Sequence, residues 1–334
     1  MDDLQFGTRD KRDHWRPRDP IKPSPLLASP WSMLKVVKWL PHYFYPWNGL
    51  FFLTGCIFWF YLTPDVETMK TLEWGWVAYI LVRNSVALFL LHGAFELRLY
   101  IQRAQGNQFK YNPRWPKETR SNVFMFSSQN IDNMIRTFGT GVPMWTAYEV
   151  LMLWAYANGW GFWTTFADNP WGLICLGLVM VVIHEAHFYF THRMIHSPFL
   201  YKHVHSVHHK AVNPSPWSSL SMHPVEHLIY FSGSLIHLIV PSHPLLAIYH
   251  LHIAGLGAVI GHIGFDKMVV GDEKAMNTHA YAHYLHHKYF EVNYADGLIP
   301  WDKWAGTWHD GTEEGDVRMR ERIKLRRERS MAKT

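Results

Sequence analysis

The stretch VVIHEAHFYFTHRMIHSPFLYKHVHSVHHK, Val181 to Lys210, decides how the rest of the chain is read. It leaves an apolar run and enters a series of imidazoles at fixed spacing: His192 and His196 four apart, then His205, His208 and His209. Residues four apart on a helix share one face, so His192 and His196 can chelate a common ion. The His-x-x-His-His spacing of HSVHH returns at HYLHH, His283 to His287. Between the two copies lie SMHPVEH, with His223 and His227 four apart, and GHIG, with His262; His279 precedes the second copy. A single histidine on an apolar face is ordinarily a hydrogen-bonded core residue. Three dense clusters are a different matter, because each imidazole buried without a partner costs a few kcal/mol. Eight or more imidazoles exceed the three or four ligands of one zinc ion, so the count asks for two metals. Imidazole suits iron, copper, zinc and nickel alike.

The composition sets the medium. Of 334 residues, 48% are hydrophobic and 18% charged, against about 25% charged in soluble domains. Seventeen tryptophans suit a protein with two membrane interfaces. The two cysteines, Cys56 and Cys175, stand far apart in apolar runs. They provide no iron–sulfur cluster, no cysteine zinc site and no disulfide framework. The net charge is +5, and the basic residues flank apolar runs, which favours a membrane surface over nucleic acid. The charged, proline-rich beginning lacks the apolar segment of a signal peptide.

Three parts follow along the chain: a polar, basic arm over residues 1–40, unstructured but for a short interfacial helix at WSMLKVVKWL; a membrane domain over 41–310, with its histidine core at 180–308; and a charged tail over 311–334. Four crossings are expected: Trp47 to Leu62 extended backward through PHYFYP, Trp74 to about Leu97, Val142 to Trp160, and Trp171 to Phe190. The second contains Arg83, Asn84, His92 and Glu96, so one side of it must face other helices. His227 to Phe265, interrupted by PSHP, reads as a half-buried helical hairpin. Arg98, Arg103, Lys110, Arg114, Lys117, Arg120 and Arg136 crowd one interhelical stretch, while the loops 63–73 and 161–170 hold one lysine between them. The positive-inside rule then puts both termini and every histidine cluster in the cytoplasm. The expected fold class is all-α integral membrane, with about four transmembrane helices, the hairpin and a cytoplasmic histidine-rich cap.

The series HRMIH, HSVHH, HPVEH and HYLHH, closed by NYADGLIPWDKWAGTW, resembles the fatty acid hydroxylase and sterol desaturase superfamily of integral-membrane di-iron enzymes. The likeness runs over residues 180 to 308 and lies in spacing as well as composition. It implies a helical membrane anchor, two iron ions, O2 as co-substrate, and hydroxylation or desaturation of a lipid. It implies electrons from an external donor, a cytochrome b5-like protein or a ferredoxin with its NAD(P)H reductase. The ligands it implies are His192, His196, His205, His208, His209, His283, His286 and His287. His223, His227 and His262, with His279 behind them, are further ligands or partners of ligands. Glu185 stands seven before the first box, where the family commonly has Asp. Ala295 replaces the glycine of the family's Asn-Tyr-Gly. Asp302 is placed to hold a ligand imidazole through its second nitrogen or to cap a helix. No catalytic residue beyond the metal centre is implied.

His184 and His187 read as a core pair one turn above the first box, and His237, His243, His250 and His252 as interfacial or channel-lining residues. No Gly-x-Gly-x-x-Gly follows a strand pattern, so no bound nicotinamide or flavin is expected. A membrane zinc hydrolase would need His-Glu-x-x-His, which HEAH misses by one residue. A non-enzymatic metal transporter or sensor would want acidic residues along several crossings, and few are present. The membrane is the bacterial inner membrane or the endoplasmic reticulum. Sterols, fatty acyl chains and amino-acid-containing lipids all fit as substrates.

Overall fold

The computed structural model describes residues 2–116, 121–271 and 274–331; Lys117, Arg120 and the last three residues of the tail lie outside the described residues. Among the described residues, three helices are long and apolar enough to cross a membrane: Trp74–Ile101, Pro170–Ile195 and Pro244–His262. The first two are the expected second and fourth crossings. Pro170–Ile195 begins with Asn169 Oδ1 accepting from Gly172 N at 3.1 Å and with Pro170 in the first turn, where its missing N–H is not needed. It runs 26 residues and so delivers His192 beyond the apolar segment.

The other two expected crossings are shorter, at 13 residues for Gly49–Tyr61 and 16 for Val142–Ala157, against the ~20 of a straight crossing. Each is prolonged backward through a widened helical turn: Phe44–Asn48 joins Met33–Tyr43 to the first, and Thr137–Gly141 joins Gln129–Arg136 to the second. The first junction bends at Tyr45 (φ −101°, ψ 134°), beside Pro46, which removes a donor from the ladder. Met33–Tyr43 leaves Met33, Leu34 and Val37 exposed, next to exposed Trp31.

The expected hairpin divides unequally. Its first arm, Pro224–Phe231 and the 3-10 turn Ser232–Leu238, is too short to cross. Its second arm is the centre of the bundle, with every residue of Pro244–Gly255 buried. Close packing requires small residues here. A Cβ on Gly55 would stand 3.4 Å from Tyr249 Cα, and one on Gly255 would stand 2.7 Å from the Trp145 ring. Phe51, Leu88, Trp145, Met180, Trp217 and Leu246 fill the core around it.

The polar residues of Trp74–Ile101 do face inward. Arg83 pairs with Glu149 of Val142–Ala157, Asn84 Nδ2 donates to Glu149 Oε2 at 2.8 Å, and the guanidinium lies 4.5 Å over the Phe58 ring. A charge inside a membrane bundle is tolerated when so paired.

Two features depart from the sequence reading. Two small antiparallel hairpins accompany the helices: Gly7–Arg9 with Trp15–Pro17, and Lys267–Val270 with Lys274–Asn277. The amino-terminal arm is also ordered, as a strap over the histidine region. Trp15, 1% exposed, packs between Phe109 and Tyr111. Arg16 pairs with Asp316 at 2.5 Å, Ile21 N donates to Asp310 O, and Ser24 N donates to Gly297 O. Its polar composition hides these long-range partners.

Candidate metal centre

Four segments deliver the imidazoles. His192 ends the long helix and His196 caps it. His205, His208 and His209 lie on the 3-10 turn His205–Lys210, His262 ends Ala258–His262, and His283, His286 and His287 lie on Tyr281–Tyr289. They gather into two groups, His192, His196, His205, His209 and His286 in one and His208, His262, His283 and His287 in the other, each with its ligand atoms within 4.8 Å of one another. Both His-x-x-His-His copies therefore divide between the groups. All nine are buried except His196, which is half-buried.

The ring nitrogens are sorted by role. His192 Nδ1 donates to Tyr294 O at 2.8 Å, His286 Nδ1 to Val292 O at 2.7 Å, and His262 Nδ1 to Ala258 O at 3.0 Å. His208 Nδ1 points to Ser221 O at 3.4 Å, and His205 Nδ1 meets Glu226 Oε1 at 2.7 Å. A carbonyl only accepts, so those Nδ1 atoms carry the proton and Nε2 is left with a bare lone pair. The Nε2 atoms converge: His209 lies 3.0 Å from His205, 3.3 Å from His196 and 3.2 Å from His286. His262 lies 3.2 Å from each of His208, His283 and His287. Burial, then neighbouring imidazoles, hold His205, His209 and His287 well below the ordinary histidine range, which keeps them neutral. Facing lone pairs at such distances repel unless a cation lies among them. With metal–nitrogen bonds of about 2.0–2.1 Å, ligands on one ion stand about 2.9–3.4 Å apart, so both groups fit a metal.

The expected helpers take several places. Glu185 accepts from Leu298 N at 2.9 Å and Ile299 N at 3.0 Å, pinning the closing loop to the long helix. Asp302 neither touches an imidazole nor caps a helix end. It accepts from Tyr294 N at 3.1 Å, Ala295 N at 2.8 Å and Thr307 Oγ1 at 2.6 Å, and so holds the turn whose Tyr294 carbonyl orients His192. That turn accommodates Ala295, because its positive φ angles fall on Asn293 (49°) and Gly297 (91°). His262 joins the second group. His223 instead caps its helix, accepting from Val225 N at 3.2 Å, and His227 lies between Thr140 Oγ1 at 3.2 Å and Leu220 O at 3.0 Å. His279, at φ 59°, belongs to neither group. Glu226 was not singled out in the sequence; the only signal was a carboxylate between the histidines of HPVEH.

Comparison with known proteins agrees with this geometry. Residues 177–307 match the fatty acid hydroxylase family. The Delta(7)-sterol 5(6)-desaturase ERG3B of Gibberella zeae is 28% identical over 176 residues, 51% of this chain and 53% of the relative, so the chain spans about half of that protein's length. A probable Delta(7)-sterol 5(6)-desaturase of Neurospora crassa is 23% identical over 79% of this chain and 74% of its own. Methylsterol monooxygenase 1 of Gallus gallus is 33% identical over 40% of this chain and 45% of its own. No solved structure matches. Residues 177–307 thus form a fatty acid hydroxylase domain, and the histidine spacing, the helical membrane fold and these relatives support the fatty acid hydroxylase and sterol desaturase superfamily.

Proposed function

We propose that the protein is an O2-dependent membrane lipid hydroxylase or desaturase with two iron ions held by its two imidazole groups. The observation that carries this reading is the convergence of Nε2 lone pairs, with the Nδ1 protons turned outward to carbonyls and a carboxylate. The relatives are oxidoreductases by name, a sterol desaturase and a methylsterol monooxygenase among them.

Bound there, iron supplies the reduction of O2 and the oxidation of an unactivated C–H. The chain supplies the rest. Tyr294, Val292 and Ala258 carbonyls fix the tautomers of His192, His286 and His262. Glu226 does the same for His205 and raises its basicity. Phe188, stacked 4.8 Å from His192 and 6.4 Å from His283, offers an apolar surface beside both groups. Glu185 has both oxygens engaged by backbone N–H groups, so it is not free to act as the general base of a zinc hydrolase.

By the Lys/Arg asymmetry, both termini and the imidazole groups belong on the cytoplasmic side of the bacterial inner membrane or endoplasmic reticulum. The exposed apolar face of Met33–Tyr43 suits a helix lying in the interface. The proposed domain limits are 40/41 and 310/311, with the arm acting as a strap over the histidine region. Electrons come from an external donor of cytochrome b5 or ferredoxin type, whose acidic surface suits the basic cytoplasmic face. Comparing the lipids of an aerobic host with and without the gene tests the function. One lipid class, sterol, fatty acyl or amino-acid-containing, should gain an oxygen atom or lose two hydrogens. An unchanged lipid profile despite abundant iron-loaded protein would refute it.

A further inference from the structure

The tail helix Glu313–Met331 is fixed at its root and exposed beyond it. Asp316 pairs with Arg16 at 2.5 Å and accepts from Tyr289 Oη, and Met319 is buried. From Arg320 onward every described side chain is exposed except Ile323, which is half-buried. Residues 318–329 hold seven basic residues against two acidic ones, a surplus equal to the net charge of the whole chain, +5. A helix that is polar all round is stable when its charges pair with one another or when something covers it. Here they do not pair with one another: from residue 318 onward, among the described residues, the one ion pair is Arg318 with Asp310 at 3.4 Å, made outside the helix.

The contacts of the helix set its level. Arg322 donates to Gly306 O. Two residues before Gly306, the exposed Trp304 stands edge-on to Trp301 at 5.4 Å, and Trp301 stacks on Tyr189 at 5.4 Å and meets Phe190 at 5.1 Å. Tyr189 and Phe190 lie in the last two turns of the crossing Pro170–Ile195. Phe190, Met194, Phe199 and Trp304 are all exposed around this exit, and aromatic residues so placed mark the headgroup level. The tail helix therefore passes where the crossing leaves the bilayer. Arg193, exposed at the same exit, lies 5.5 Å over the Tyr294 ring, and the charge of Arg322 acts on Tyr294 too. Arg193 donates to Tyr189 Oη at 3.0 Å, and among the described residues neither guanidinium is in an ion pair. Asp302, whose charge Arg193 feels, has both oxygens engaged by Tyr294 N, Ala295 N and Thr307 Oγ1.

We propose that the tail helix from Arg318 onward, together with Arg193, binds the anionic phospholipid headgroups of the membrane surface. Guanidinium groups match phosphate oxygens two bonds at a time, and the surplus of positive charge stands at the depth where those phosphates lie. Leu325, one turn after Arg322, is exposed and gives the same helix an apolar contact with the bilayer. Near an anionic membrane surface each Lys or Arg strengthens binding by about fivefold. The inference rests on the membrane fold and not on the reaction.

Amide hydrogen exchange across residues 318–331 tests it, on the whole protein in nanodiscs of phosphatidylcholine alone and of an equimolar mixture with phosphatidylglycerol. Both faces of a disc carry the same lipid, so the result does not depend on the side on which the tail lies. In the mixed discs wild-type exchange should be slower by at least about fivefold, and high salt should remove the difference. The triple variant Arg320→Gln, Arg322→Gln, Lys324→Gln should exchange alike in both discs at unchanged iron content. The double variant Glu321→Gln, Glu328→Gln should exchange more slowly than wild type in the mixed discs; this gain carries the test should the triple variant fail to fold. Equal exchange of wild type in the two discs, or a slowing that the triple variant retains, overturns the inference and leaves the lipid-enzyme reading in place. A slowing that appears only when cytochrome b5 is added, in either disc, assigns the tail to an acidic protein and overturns it as well.

Discussion

Replacing Glu226 separates the tuning of a ligand from its loss. Glu226 is 3% exposed, its Oε1 meets His205 Nδ1 at 2.7 Å, and its Oε2 has no partner. A hydrogen bond to a charged group contributes about 1.5–3 kcal/mol, or about 10- to 150-fold in an equilibrium constant. Glu226→Gln keeps an accepting oxygen and loses the charge, so its cost lies at the low end, near tenfold. Glu226→Ala also strands a buried N–H on His205, adding about 1–3 kcal/mol. Changes to such partners of metal ligands cost about 10–100-fold in affinity or activity, a range that holds the Gln estimate and that the Ala estimate exceeds. The assay is iron occupancy across a chelator series, with turnover in parallel and a melting temperature to establish folding. Iron should be lost most readily from Glu226→Ala, less so from Glu226→Gln, and least from wild type. A folded Glu226→Ala protein with wild-type iron affinity and rate would refute the assignment of this carboxylate to His205.

Three further outcomes are expected. Burial holds His227 down to about 4, against about 6.5 when unfolded, so its neutral form stabilises the fold above pH 6.5 and that contribution is lost as pH falls through 4; the melting temperature of His227→Gln should fall less steeply between pH 7 and 4 than that of wild type, and parallel curves would contradict this. Trp15→Ala should destabilise the protein by about 3–5 kcal/mol, because Trp15 is 1% exposed against Phe109 and Tyr111; an unchanged thermal melt would show that the strap contributes nothing. Reporter fusions at either end should both read as cytoplasmic, and a signal from the opposite face at the carboxy terminus would overturn the proposed topology.

The histidine boxes are legible in the sequence because helical spacing ties residues four apart to one face. Which ligands share a group is not legible. HSVHH divides with His205 and His209 in one group and His208 in the other, although residues three apart share a face of a 3-10 turn. His262 comes from the end of the central helix with no second histidine beside it, so only its place in an apolar run hinted at its use. The same spacing rule misleads at HPVEH, where His223 and His227 serve local packing and the carboxylate between them reaches His205. Apolar length finds the long crossings but cannot tell a lipid-facing helix from Pro244–His262, whose small residues admit neighbours on every side. The arm reads as unstructured because the aromatic partners of Trp15 lie about a hundred residues away in the chain.

Elemental analysis of the purified protein tests the central claim most directly, performed on wild type, His262→Ala and His196→Ala. Two irons per chain are predicted for wild type. One is predicted for each variant, because His262 belongs only to the second group and His196 only to the first. A wild-type protein holding a single zinc, or one that oxidises its lipid fully without iron, would contradict the account.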